Sequence, residues 1–162
     1  MIRNKNGYIN DTAEPLYYFG HGLSYTEFTY SDLQIDEKKI DPDDTVKITF
    51  KVKNTGDFDG AEVAQLYFSD TVASMVRPTK ELAGFARIFL KKGEEKKLVF
   101  EIRASQFAFL DEKMKWKVEK GDMDFFIGSS CEDIRLFDRI SISENRYVDG
   151  KTRGFYAKAD IC

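Results

Sequence analysis

Val46-Lys47-Ile48-Thr49-Phe50-Lys51-Val52-Lys53 is the stretch that decides the fold. Apolar side chains hold every even position and Lys or Thr every odd one. Successive side chains of a strand point to opposite faces, so this octet has one dry face and one wet face. Its branched and aromatic members pack well on a pleated surface. Asp41-Pro42-Asp43-Asp44 before it and Asn54-Thr55-Gly56 after it are turn-forming clusters.

The same reading extends in both directions. Thr29–Ile35 reads as an outer strand. Ala61–Ser69 sets Val63 and Tyr67 on one face and Ala64, Leu66 and Phe68 on the other, which predicts a central strand covered on both sides; Gln65 is its polar exception. Residues 70–83 form a long connection around Arg77-Pro78. Gly84–Leu90 is the next strand, and Leu98, Phe100 and Ile102 then alternate with Val99, Glu101 and Arg103. Phe107–Leu110 and Met114–Val118 flank the turn Asp111-Glu112-Lys113, with Met114, Trp116 and Val118 expected on an inward face. Met123, Phe125 and Ile127 lead to Gly128, and a last strand covers Ile134–Ile142. Short strands separated by frequent turn signals indicate a sandwich or a barrel. Residues 1–28, broken by Pro15, Gly20 and Gly22, read as an irregular linker. Residues 143–162 are polar and Gly-punctuated, and read as a flexible tail or the start of a linker.

Composition narrows the function. The chain has 162 residues, of which 42% are hydrophobic, enough for one domain with a packed core. Its 25 Lys and Arg are scattered among 28 Asp and Glu, for a net charge of −3. No basic footprint for nucleic acid stands out. No apolar run reaches the length of a membrane span. Met1–Asn6 is polar and lacks the apolar stretch of a signal peptide, so a soluble chain is expected, with the cytoplasm favoured. Cys131 and Cys162 are too few for a disulfide framework and are expected as free thiols. Asn10-Asp11-Thr12 is a formal glycosylation triplet.

Candidate chemistry is sparse. His21 is the single histidine, which excludes a multi-histidine metal site. Ser24 lies three residues away, yet nothing nearby supplies an oxyanion hole or an orienting acid, so a histidine held in a turn is the better reading. Asp57-Phe58-Asp59-Gly60 lacks the further acids of a calcium loop and reads as a solvated turn. The many carboxylates alternate with apolar residues on strands, as a wet face requires, and none singles out a glycosidase pair. No metal or cofactor is implied. The aromatic cluster Tyr17, Tyr18, Phe19, Tyr25, Phe28 and Tyr30 has two readings. It can dock against a neighbouring domain, or Tyr17, Tyr18 and Tyr25 can stack on an oligosaccharide; docking is the stronger.

Pro15-Leu16-Tyr17-Tyr18-Phe19-Gly20-His21-Gly22-Leu23-Ser24-Tyr25-Thr26 resembles the junction between the α/β domain and the fibronectin type III-like domain of family 3 glycoside hydrolases, the β-glucosidase family. Tyr18 stands where that family commonly has Pro. Val52-Lys53-Asn54-Thr55-Gly56 with Gly60-Ala61-Glu62-Val63-Ala64-Gln65-Leu66-Tyr67, and Arg77-Pro78-Thr79-Lys80-Glu81-Leu82-Ala83-Gly84-Phe85 with Leu90-Lys91-Lys92-Gly93-Glu94, resemble two further stretches in the same order. The resemblance implies an all-β, immunoglobulin/fibronectin type III-like β-sandwich of about seven to nine antiparallel strands over residues 29–142. Residues 1–28 would then trail from an absent α/β domain. It implies a parent that is a retaining β-glucosidase, with an Asp nucleophile on a (β/α)8 barrel and an acid/base from the α/β domain. No position here matches either residue, so the expectation is a non-catalytic accessory module that braces the catalytic domains. Tyr17, Tyr18, Phe19, Gly20, His21, Gly22 and Tyr25 are its expected docking residues. A free-standing interaction sandwich that merely shares the fold is the third reading.

Overall fold

The computed structural model describes residues 14–162; the glycosylation triplet and the first part of the expected linker lie outside them. In chain order the strands are β1 (Phe28–Ile35), β2 (Lys39–Ile40), β3 (Thr45–Asn54), β4 (Gly60–Asp70), β5 (Glu81–Leu90) and β6 (Glu95–Arg103). After a 3-10 turn at Ala104–Phe107 come β7 (Phe109–Leu110), β8 (Trp116–Val118), β9 (Gly121–Gly128), β10 (Ile134–Ile142), β11 (Arg146–Tyr147) and β12 (Lys158–Ile161).

Two sheets face each other, with strand orders β1-β3-β6-β12 and β2-β10-β9-β4-β5. The octet of β3 behaves as its alternation requires. Val46, Ile48, Phe50 and Val52 are wholly buried, and they face Ala64, Leu66, Phe68, Met123, Phe125 and Ile127 of the opposite sheet within one core. Each such side chain contributes about 1.5–3 kcal/mol on burial. The Phe50 ring lies between Tyr30 at 6.0 Å and Phe100 at 5.9 Å, both stacked. β4 lies between β9 and β5, and its outward Gln65 and Tyr67 are buried as well as its inward Ala64, Leu66 and Phe68, because the incoming segment and the turn after β9 cover Gln65 from outside.

Three features differ from the expectation. The β2–β10 pair is parallel, so the sandwich is not wholly antiparallel. Met114 is exposed rather than inward, because the tight turn closed by the Asp111 N–H donating to the Lys115 carbonyl (3.0 Å) puts it at φ 57°. Its neighbours follow the expectation: Trp116 is half-buried against the core and Val118 is wholly buried. Residues 143–162 are structured. β11 pairs with β8, and β12 adds a fourth strand to the edge of β6, from Lys158↔Glu101 to Ile161↔Leu98. The Arg153 guanidinium sits over the Trp116 ring at 3.9 Å and the Phe155 ring at 4.3 Å, and the Ala157 N–H donates to the Ala83 carbonyl at 2.8 Å. Guanidinium stacking of this kind holds a segment that has no apolar run of its own.

The long connection between β4 and β5 is fixed by Arg77. Its side chain is only 8% exposed. Nη2 lies 2.7 Å from Glu81, Nη1 donates to the Phe107 carbonyl at 2.9 Å, and Asp70 is 3.4 Å away. The guanidinium also lies between the rings of Phe68 (5.6 Å) and Phe109 (5.1 Å). Burial outweighs the Arg77 charge at Asp70 and holds that carboxyl above its usual range.

Two outcomes follow from these contacts. Arg77→Ala strands Asp70, whose side chain is 6% exposed, and should lower unfolding stability by about 3 kcal/mol in urea; adding Asp70→Asn should restore part of it. A chain ending at Ser143 loses β12 and uncovers the β6 edge. Its thermal midpoint should fall by about 5 °C or more, whereas removal of a mere tail would leave it unchanged.

Candidate functional site

The segment that enters the sandwich, residues 14–27, is strapped to it at two points. At the first, Gly20 takes φ 82°, a left-handed conformation that favours glycine. Its carbonyl accepts from Gln65 Nε2 at 3.0 Å, and the same nitrogen donates to the Ser129 carbonyl at 2.5 Å. Gln65 Oε1 accepts from the Tyr67 hydroxyl at 2.5 Å. A Cβ on Gly20 would stand 2.1 Å from Gln65 Oε1, so a larger residue would push aside the amide that holds the strap. The Cys131 N–H donates to the Phe19 carbonyl at 3.0 Å. Gly22, by contrast, has open space beside it.

At the second point the wholly buried Asn54 is the hub. Its Oδ1 accepts from the Thr26 hydroxyl (2.7 Å) and the Gly56 N–H (3.1 Å), and its Nδ2 donates to the Phe58 (2.8 Å) and Leu90 (3.1 Å) carbonyls. The Thr55 N–H donates to the Glu27 carbonyl at 2.8 Å. A Cβ on Gly56 or Gly60 would run into Thr26. Stretches far apart in sequence thus meet along one line. Asn54 and Gln65 carry the contact, and the sequence signalled only Gln65, as a polar residue in an apolar strand.

The expected docking residues divide. Phe28 and Tyr30 leave the cluster: Phe28 is buried in the core, and Tyr30 packs on Phe50. Leu16, Tyr17, Phe19, Leu23 and Tyr25 point to solvent, Leu23 and Tyr25 at 93% and 97% exposure. The Tyr17 ring leans on the His21 ring at 5.1 Å. Tyr18 is half-buried, and desolvation with the charges of Glu14 and Glu132 pushes its hydroxyl up. The His21 N–H donates to the Tyr18 carbonyl (3.0 Å), while Ser24 Oγ accepts from the Thr26 N–H (3.2 Å). Each serves a local turn, not a nucleophile–base pair. Asp57 and Asp59 bond Lys92, as in a solvated turn. Among the described residues no group of three or more His, Cys, Asp or Glu is placed to hold a metal ion, both cysteines are free, and no helix is long and apolar enough to cross a membrane.

Between the strap and the sheet lies an open cleft of about 780 Å³. Phe19, Leu23, Val63, Leu82 and Phe85 give it apolar walls; Glu62, Asp133 and Arg135 give it charge. The Tyr30 hydroxyl donates to Glu62 Oε1 at 2.7 Å. Burial raises the Glu62 carboxyl against that bond, and burial together with Glu62 pushes the Tyr30 hydroxyl well above its usual range. Asp133 is held low by the Arg135 guanidinium, whose Nε and Nη2 lie 2.6 and 2.7 Å from its two oxygens. Tyr17, Tyr18 and Tyr25 do not line this cleft.

Residues 62–131 match the fibronectin type III-like domain family. The chain is 43% identical over 137 residues to thermostable β-glucosidase B of Acetivibrio thermocellus, covering 84% of this chain and 18% of that protein. It is 43% identical over 121 residues to the periplasmic β-glucosidase of Salmonella typhimurium, covering 75% of this chain and 16% of that one. The solved structure of β-glucosidase 3B from Thermotoga neapolitana superposes with a TM-score of 0.77 at 34% identity, over 84% of this chain and 18% of that one. The chain therefore spans less than a fifth of the length of these relatives. Together with the sandwich topology and the junction motifs, these matches show that it belongs to the fibronectin type III-like domains of family 3 glycoside hydrolases.

Proposed function

We propose that this chain is a non-catalytic module that braces the catalytic domains of a β-glucosidase, with the strap as its attachment. The observation that carries this reading is the pairing of a firmly held backbone with freely exposed side chains on the same segment. Gly20 and Thr26 are fixed through Gln65 and Asn54, while Leu16, Leu23 and Tyr25 between and beside them stand in solvent. An isolated domain gains nothing from presenting large apolar side chains on a rigid strap, but an interface does. Pre-ordering also spares the entropy of fixing the strap when it docks. The parent hydrolyses β-glucosidic bonds with groups outside this chain; the chain supplies shape and stability.

The test is a chimera in which this chain replaces the matching segment of the Acetivibrio thermocellus β-glucosidase. The chimera should hydrolyse an aryl β-glucoside, and the chain alone should not. Leu23→Ser with Tyr25→Ser should lower the thermal midpoint of the chimera by about 4 °C or more while leaving that of the isolated chain in place. A chimera indifferent to both substitutions contradicts bracing through the strap. Gly20→Ala, which collides with Gln65, should destabilise chain and chimera alike, by about 1–3 kcal/mol in urea.

A further inference from the structure

We infer that the outer face of β5, with Val63 of β4 beside it, is a second docking surface, and that it receives an apolar face of the parent chain bearing a carboxylate. The inference rests on the bracing reading. It adds which side of the sandwich is covered and the chemistry of what covers it.

The two outer faces of the sandwich differ in kind. On β3 and β6 the outward Lys and Glu side chains pair with one another: Lys47 lies 3.3 Å from Glu101, and Lys51 lies 3.3 Å from Glu95 and 2.9 Å from Asp32. Water suits such a face. β5 instead sends Ala86, Ile88 and Leu90 into the core and Phe85, Arg87 and Phe89 outward. Phe85 and Phe89 are 58% and 52% exposed. Aromatic residues and Arg are enriched where proteins meet, and Lys and Glu are depleted there. Arg77, Arg135, Arg139 and Arg146 each face an acid. Among the described residues Arg87 has no such partner; it stands opposite Val63, between the two rings. β5 is also the last strand of its sheet. An edge that stays in water is commonly guarded by Lys or Pro, and from Leu82 to Leu90 β5 has neither.

The face is continuous with the strap. The ladder of β4 with β9 runs only from Gln65↔Gly128 to Asp70↔Met123, so the first residues of β4 have no β9 neighbour. That gap leaves Val63 38% exposed. The strap crosses at its border, where Phe19 and Leu23 share the walls of one cleft with Val63, Leu82 and Phe85. Whatever covers the strap therefore abuts the face of β5. The occupant is the rest of the parent chain, because this chain spans less than a fifth of its relatives and most of the enzyme lies outside it. A second copy fits less well. A two-fold contact centred on this face brings two unpaired Arg87 guanidinium groups together. A carboxylate opposite Arg87 instead completes a charge-assisted pair inside an apolar surround.

The test uses the same chimera beside the isolated chain. Phe85→Thr with Phe89→Thr keeps strand-forming residues on β5. It should lower the thermal midpoint of the chimera by about 4 °C or more and leave that of the isolated chain in place. Arg87→Glu should lower the chimera's midpoint too, with Arg87→Lys milder, while Lys97→Ser on the opposite sheet should not. A chimera unmoved by the β5 substitutions overturns the proposal. If the strap substitutions still lower its midpoint, bracing stands without this face; if they do not, bracing falls as well. An equal fall in the isolated chain makes these residues part of the fold alone and overturns the proposal. So does a dimer of the isolated chain, seen by sedimentation, that the β5 substitutions abolish, since the face then belongs to a second copy.

Discussion

The buried amide of Asn54 is the interaction on which the rest depends. An amide in a dry interior is tolerated only when its hydrogen bonds are made, and leaving one unmade costs about 1–3 kcal/mol. Asn54 makes four, to Thr26, Gly56, Phe58 and Leu90. In doing so it ends β3, shapes the turn into β4, holds the end of β5 and anchors the incoming chain. One side chain thereby joins the interior of the sandwich to the incoming strap.

Gln65 repeats the device on the other side of the strap. It lies on the outer face of a central strand, where an apolar residue would satisfy the packing. Its amide instead ties Gly20 to the turn after β9. Between these two anchors the strap crosses the gap beside β4, and the cleft and the exposed apolar side chains are both consequences of that crossing. Arg77 and Arg153 do comparable work elsewhere: each places a guanidinium between aromatic rings to hold a segment that lacks apolar residues enough to hold itself.

The long strands were legible because each has an inward face that must be apolar and an outward face that need not be. β3, β6 and β9 show that period over enough residues to be unmistakable. β11 and β12 were not legible. They span two and four residues, and Lys158-Ala159-Asp160-Ile161 owes its place to the open edge of β6 rather than to a pattern of its own. Met114 followed the alternation on paper and broke it in space, because a tight turn overrides side-chain period. The site was legible in outline only. The junction motif and its glycines marked where to look, but the roles of Asn54 and Gln65 depend on partners far away in sequence. The cleft depends on how far the β4–β9 ladder runs, and no local pattern encodes that.

The strap is held to the sandwich at two points, through Gln65 and Asn54. Amide hydrogen exchange tests it directly, because the N–H groups of Cys131 and Thr55 donate to the strap carbonyls of Phe19 and Glu27. Both amides should exchange as slowly as those in the centre of β3, opening only with the whole domain. Exchange at the rate of an open loop, with β3 still protected, would show that the strap detaches on its own and would contradict it.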